Sequence, residues 1–560
     1  NMPEHLKNNR GRNTYYFLPL ILGLLGLLFH YQKSPQDTWV IFLFFFFTGL
    51  AIVIELNQTP YQPRERDYAY VGSFYAFSIW IGIGVTALFS LLKQYTQNIQ
   101  LLKCISISTI LVPLLMMAQG WDDHDRSNRY TAREFAKNYL KSCEKDAILF
   151  TMGDNDTFPL WYVQEVEGYR TDVRIVNLSL LNTDWYIDQI KRQAYDGEAV
   201  PISFERDEYK EGTNDVIYFE QELRTNSGER HVRLPLNKFI EWIKEGPKHV
   251  DYNIDYFKTR RISIPVNKDN LIRNSIVAEK DTHLILNSLH LNLLEKDQFG
   301  LIQRDQYGQE IGMKRLEKKD IMILDLIAEN EWKRPIYFAI TIGSESKTFL
   351  YLDEYFQLDG MVYKLLPIKN TNNNIGRSEI GRINTDTLYA KMMDEYKWGN
   401  LDKDIYIDET NLRMTMNFRN NFSRLAQQLI IEGDTIRAKE VLDRCMELMP
   451  KEKVPFNYYI HPIIESYYDI NSSDTANSLV SDLAHIYKSE FEYFASFPDN
   501  KKAAVKSELK MQLQLLFDLN NITDNYPAAA DEITLEDDLQ EIYIEFCATF
   551  PNDDWCRAND

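Results

Sequence analysis

Apolar positions crowd the first fifth of the chain in four long runs, and thin out abruptly afterwards. Residues 15–31 are apolar apart from His30, and residues 39–54 contain the string VIFLFFFF with Thr48 and Gly49 as interruptions, the span being placed at about 39–55. Residues 68–92 carry no charge, and residues 99–118 carry only Lys103. A bilayer core about 30 Å thick needs roughly 20 such residues in helix, so the pattern predicts four membrane helices at these positions. The third is ample, and the first two reach the interfaces through aromatic and polar ends. The first run lacks a small-residue cleavage site and three more follow it, which argues against a removable signal peptide.

Beyond residue 118 the pattern is that of a water-soluble region. Trp121 suits an interfacial anchor, and residues 130–141 follow as an amphipathic helix. The apolar run 147–152, ended by Gly153, predicts a buried strand; TFPLWYVQEVEG predicts a helix with Pro159 in its first turn and Gly168 as its stop. A second strand, DVRIVNLSLL, and a second helix, NTDWYIDQIKRQ, opened by Asn182 or Thr183, complete a βαβ unit whose strands should be parallel. Further on, KKDIMILDLIAENEW predicts a helix, and RPIYFAITIG and LDGMVYKLLPI predict strands. His283 and His290 fall about two turns apart in an expected helix. Residues 195–270 give no clear periodicity and are assigned to insertions or a subdomain.

From residue 421 the pattern becomes helical hairpins. Phe422, Leu425, Ala426, Leu429, Ala438, Leu442, Cys445 and Pro450 stand at the intervals of a tetratricopeptide unit, with EGD as its turn, and residues 459–487 suit a degraded second unit. The expected fold class is therefore mixed: a loop at residues 1–13, four transmembrane helices within 14–118, a soluble α/β domain at 119–385 with parallel βαβ units, and a helical repeat-like domain at 386–560.

Composition sharpens this picture in three ways. A net charge of -20 gives no reason to expect a nucleic-acid partner. The chain opens on Asn1, and its polar first residues resemble an inter-helix loop cut in the middle, so a C-terminal fragment of a larger membrane protein is expected. Lys7, Arg10, Arg12, Arg64 and Arg66 fall on the side of the large domain, against Lys33 and Lys93 on the other, a count that taken literally makes that domain cytoplasmic. Cys547 and Cys556 are close enough to pair in an oxidising compartment, with unpaired buried thiols as the other possibility, and no cysteine spacing of metal type occurs.

Two constellations carry candidate chemistry. GDND, with Asp154, Asn155 and Asp156, stands where a parallel strand should end, and Asn182 and Asp184 stand at the end of the next. Such positions can converge on one ligand crevice, although Asp156 and Thr183 are equally the residue types that cap helices. The second is PRERD at the mouth of the third apolar run. Arg64 and Arg66 present planar forks suited to phosphate oxygens, and Glu65 and Asp67 can orient them. WDDHDR, residues 121–126, has metal-compatible types, but consecutive residues cannot all face one ion, and a solvated loop is expected there.

The strings MPEHLKNNRGRNTYYFLPLILGL, NQTPYQPRERDYAYVGSFYAFSIWIGIG, WDDHDRSNRYTAREFAKNYL, GDNDTFPLWYVQEVEG and NLSLLNTDWYIDQI resemble a family of bacterial multi-spanning membrane proteins of unknown function, whose eukaryotic relative is the endoplasmic-reticulum O-mannosyltransferase acting on plexin-type receptor domains. The resemblance covers nearly the whole chain and is most specific before residue 190. It implies a GT-C-type glycosyltransferase with a polyprenyl-phosphate sugar donor, membrane lipid and acceptor proteins as partners, and an inner-membrane location with the soluble domain periplasmic. It also implies that the catalytic acid lies in an external loop upstream of these residues. Arg64 and Arg66 are then expected to hold the donor phosphate. The competing expectation is a non-enzymatic envelope scaffold that binds proteins through its helical repeats.

Overall fold

The computed structural model of the protein describes residues 2–3, 7–57, 66–219, 233–246, 250–251, 254–257, 259–295, 302–306, 311–342, 352–370, 380–526 and 535–557. The chain divides into two units, Asn1–Ser127 with Ser489–Leu509, and Asn128–Lys488 with Lys510–Asp560.

In the first unit the apolar runs fold as helices α1 (Leu18–Lys33), α2 (Pro35–Phe47), α3 (Leu50–Leu56), α4 (Val71–Leu92), α5 (Ile99–Ser108) and α6 (Leu111–His124). Three stretches, Pro35–Leu56, Asp67–Leu92 and Ile99–His124, are long and apolar enough to cross a bilayer, which marks a membrane protein. The first expected span is α1, whose 16 residues rise about 24 Å, short of a full hydrocarbon core. It packs along α4 through glycine. A β-carbon on Gly26 would lie 1.8 Å from the Trp80 carbonyl oxygen, and one on Gly84 would lie 2.1 Å from that of Leu22. Only hydrogen at both positions permits this backbone approach, the usual device of helix contacts in lipid.

In the second unit, α7 (Thr131–Ser142) precedes a six-stranded sheet of β1 (Ile148–Thr151), β2 (Arg174–Asn177), β3 (Ile336–Ala339), β4 (Phe356–Leu358), β5 (Val362–Leu365) and β6 (Arg382–Ile383), in the order β6-β4-β5-β3-β1-β2. β1 pairs in parallel with β2 and with β3, with Phe150 opposite Val176 and Phe338. All three strands are buried along their length, as strands covered on both faces must be. Helix α8 (Asp154–Glu165) connects β1 to β2 and α9 (Asp184–Ile190) follows β2. Pro159 lies inside α8 rather than in its first turn, because the helix starts three residues before the expected Thr157.

The stretch without periodicity forms two small sheets. One orders strands Val250–Asp251, Ile254–Phe257, Val216–Phe219 and Arg315–Glu317; the other orders Leu234–Pro235, Arg261–Pro265 and Ser288–Asn292. His290 therefore sits in a strand, not a helix; SLHLN alternates buried and exposed side chains, a period of two that overrides the seven-residue spacing to His283. Helices α10 (Leu236–Glu245) and α11 (Lys318–Asn330) pack together, and α11 buries Ile321 to Leu326 without a break.

The C-terminal helices include α12 (Glu409–Ile431), α13 (Thr435–Leu448) and α14 (His461–Asp469), with α12 packed on both others. Gly433 makes the α12–α13 turn at φ 83°, a left-handed conformation that favours glycine. Arg419 is fully buried in α12 and donates to the carbonyls of Pro455 (2.8 Å), Met449 (2.9 Å) and Val454 (2.5 Å). Burial pushes this guanidinium down to about 10, so it keeps its charge at neutral pH and fastens the loop after α13 to α12.

Candidate functional site

In the main sheet the chain runs from β1 to β2 on one side and later returns to β3 on the other, so the order reverses at the carboxyl ends of β1 and β3. Open α/β sheets hold ligands at such reversals, because adjacent loops there leave in opposite directions and open a crevice.

The residues that build this edge form one hydrogen-bonded network. The Thr341 hydroxyl, just after β3, donates to Asp156 Oδ2 at 2.6 Å, and the Thr157 amide donates to Asp156 Oδ1 at 2.9 Å. Thr151 and Thr157 hydroxyls meet at 2.8 Å, and Thr157 donates onward to the Gly153 carbonyl at 2.6 Å. Asn177, closing β2, donates through Nδ2 to the Met152 carbonyl (3.1 Å) and to Thr157 Oγ1 (3.0 Å), and its Oδ1 accepts from the Leu180 amide. Asp156 is 1% exposed; burial pushes its carboxyl up while the bonds from Thr341 and the backbone pull against it. The network fixes the turn Met152–Gly153 against β2 and β3. Asp154 and Asn155 are exposed beyond the carboxyl end of β1, in the first turn of α8.

The other expected members of the crevice are engaged elsewhere. Asn182 Oδ1 accepts from the Lys319 amide at 3.0 Å, the first turn of α11, and Asp184 pairs with Arg206 at 3.3 Å. Asp156 stands in the first turn of α8, whose N-cap is Gly153, and accepts from the next residue's amide. Thr183 occupies the N-cap position of α9 but donates its hydroxyl to the Leu180 carbonyl instead of accepting a helix amide. Of the four network side chains outside GDND and LLNTD, Thr151 and Thr157 flank GDND, whereas Asn177 and Thr341 come from the ends of the neighbouring strands β2 and β3. The signal that finds them is a polar residue closing an apolar strand, in RIVN and IYFAIT.

At the mouth of the third apolar stretch, Arg66 and Asp67 are exposed, and Asp67 opens a tight helical turn to Tyr70 with its Oδ1 accepting the Tyr68 amide at 3.0 Å. Arg64 and Glu65 lie outside the described residues. In the WDDHDR segment, Asp123 bonds His124 at 3.1 Å and Asp125 accepts from the Ser127 amide at 2.8 Å.

Near the C-terminus a disulfide joins Cys547 to Cys556, while Cys143 and Cys445 are free and buried, their thiols pushed up to about 12 by burial and hence inert as nucleophiles.

Residues 132–387 match the protein family described as TMEM260-associated domain 2. The chain is also similar to the mouse (Mus musculus) protein O-mannosyl-transferase TMEM260, with 24% identity over 115 residues. That match covers 20% of this chain and 16% of the mouse protein's length. No solved structure matches.

Proposed function

We propose that this chain is the membrane-anchored, acceptor-handling part of a protein O-mannosyltransferase-like enzyme of GT-C type. In this reading the enzyme transfers a sugar, mannose in the first instance, from a polyprenyl-phosphate donor to Ser or Thr hydroxyls of extracytoplasmic proteins. The observation that carries the proposal is the similarity to a protein O-mannosyl-transferase in a chain that also has three stretches long and apolar enough to cross a bilayer.

The chemistry divides between the two units. Sugar transfer needs a base for the acceptor hydroxyl and a cation for the departing lipid phosphate. Arg64 and Arg66, beside Glu65 and Asp67 where the third apolar stretch begins, are assigned to the phosphate; the base is assigned by resemblance to an external loop outside these residues. The crevice at Asp154, Asn155 and Asp156 is assigned to the acceptor segment. A tetratricopeptide-like role for the C-terminal helices would add a second protein contact.

Cysteine chemistry supports one sidedness. A disulfide such as Cys547–Cys556 persists in oxidising compartments, which supports an extracytoplasmic, periplasm-type setting for the large domain, against the Lys and Arg count. Two arginines placed for phosphate bias that count, because they serve the ligand and not the topology.

The test is sugar transfer by the full-length protein in membranes, with Arg64→Ala and Arg66→Ala combined. Loss of transfer at unchanged expression and folding supports the donor assignment; unchanged turnover refutes it.

A further inference from the structure

Helix α8 is apolar on two faces. Its inner face buries Leu160 and Val163 against the sheet layer. Its outer face carries Phe158, Tyr162 and Val166, spaced by four residues and therefore in line, and these are 57%, 47% and 68% exposed. Trp161 lies beside Phe158, ring centroids 5.5 Å apart, and Trp185 in the first turn of α9 is 53% exposed. An exposed apolar patch of this kind marks a contact surface.

We infer that this aromatic ridge rests in the headgroup layer of the bilayer that the chain's own apolar helices enter. Three observations select lipid over a polypeptide. The ridge carries Trp161 and Tyr162, the ring types of interfacial belts, where an amphipathic ring has one wet and one apolar side, beside apolar Phe158 and Val166. The chain already commits to a bilayer, and only six residues, 125–130, separate the last apolar helix from α7; they span at most about 20 Å. Finally, α7, the helix next along the chain, is bonded to the end of α8: Arg133 grips Glu167 through two bonds of 2.5 and 2.9 Å and Lys137 adds a third at 2.5 Å. Glu165 on the same helix accepts a bond from the Tyr195 hydroxyl. The inference stands apart from the transferase proposal.

The experiment uses the full chain in nanodiscs of phosphatidylcholine with phosphatidylglycerol, in a Cys104→Ser background, with a nitroxide on Tyr162→Cys or, in a second variant, Val166→Cys. A control label sits at Ile436→Cys, 74% exposed on α13. Collision with oxygen and with a water-soluble nickel chelate is measured by electron paramagnetic resonance. Labels at 162 and 166 should favour oxygen over the chelate by several-fold relative to 436. Chelate access equal to that at 436 overturns the inference, as does protection that appears only when an acceptor protein is added, which would assign the ridge to a polypeptide.

Discussion

Replacing Thr341 with Val removes one hydroxyl from the crevice network and keeps the shape of the side chain. The lost bond, 2.6 Å to a carboxylate that is 1% exposed, belongs to the charge-assisted class, worth about 1.5–3 kcal/mol. Thr341 is itself half-buried, so water can replace part of the bond, and the lower end, about 1.5 kcal/mol, is expected. That energy is close to a tenfold change in an opening equilibrium. Native-state hydrogen exchange of the α8 amides in the full chain should therefore quicken about tenfold in Thr341→Val and return towards the parent rate in Thr341→Ser. In an Asp156→Asn background the same substitution should cost much less, because the charged partner is gone. Asp156 also sets a pH dependence. Its carboxyl is pushed up by burial, so the folded state binds the proton more tightly than the unfolded chain. The stability of α8 should fall as pH rises from the ordinary Asp value near 4 through the raised value, and Asp156→Asn should flatten this slope. Exchange unchanged in Thr341→Val, or equal cost in both backgrounds, would refute the clasp.

Other outcomes follow from single features. His461, held by Tyr487 at 3.0 Å, is pushed down to about 4 by burial. Its unfolded form takes the proton first, so the C-terminal helices should lose up to about 3 kcal/mol as pH falls from 6.5 towards 4, and His461→Gln should remove that loss in acid unfolding. Arg419→Lys leaves three carbonyls competing for a shorter cation and should cost roughly 3 kcal/mol, read by proteolysis of the loop after α13. Gly26→Ala with Gly84→Ala should loosen α1 from α4 by about 1–3 kcal/mol in thermal unfolding, while Gly82→Ala, with nothing within 4 Å, should be harmless.

Much of this architecture is written locally. Short apolar runs such as ILFT and RIVN, bounded by Gly153 and by polar caps, specify buried parallel strands, and four-residue spacing specifies the helices between them. The small sheets escape such reading because their strands have two to five residues and pair across long separations, Val216–Phe219 with Arg315–Glu317 for example. The network around Asp156 is only partly legible for the same reason. Asp154 and Asp156 declare themselves at a strand end, but Thr341 reaches Asp156 only because β3 lies beside β1, and Asn182 and Asp184 are drawn away by α11 and Arg206. Composition shows the apolar character of α8, whereas only the folded chain shows which of its faces stays open.

The central claim is most directly tested by incubating the full-length protein, in membranes or nanodiscs, with a mannosyl polyprenyl phosphate and a Ser/Thr-bearing extracytoplasmic domain. Hydroxyl-linked mannose on the acceptor, abolished by Arg64→Ala with Arg66→Ala, is the expected result. A folded parent protein that transfers no sugar, or a double variant that transfers it as well as the parent, would contradict the account.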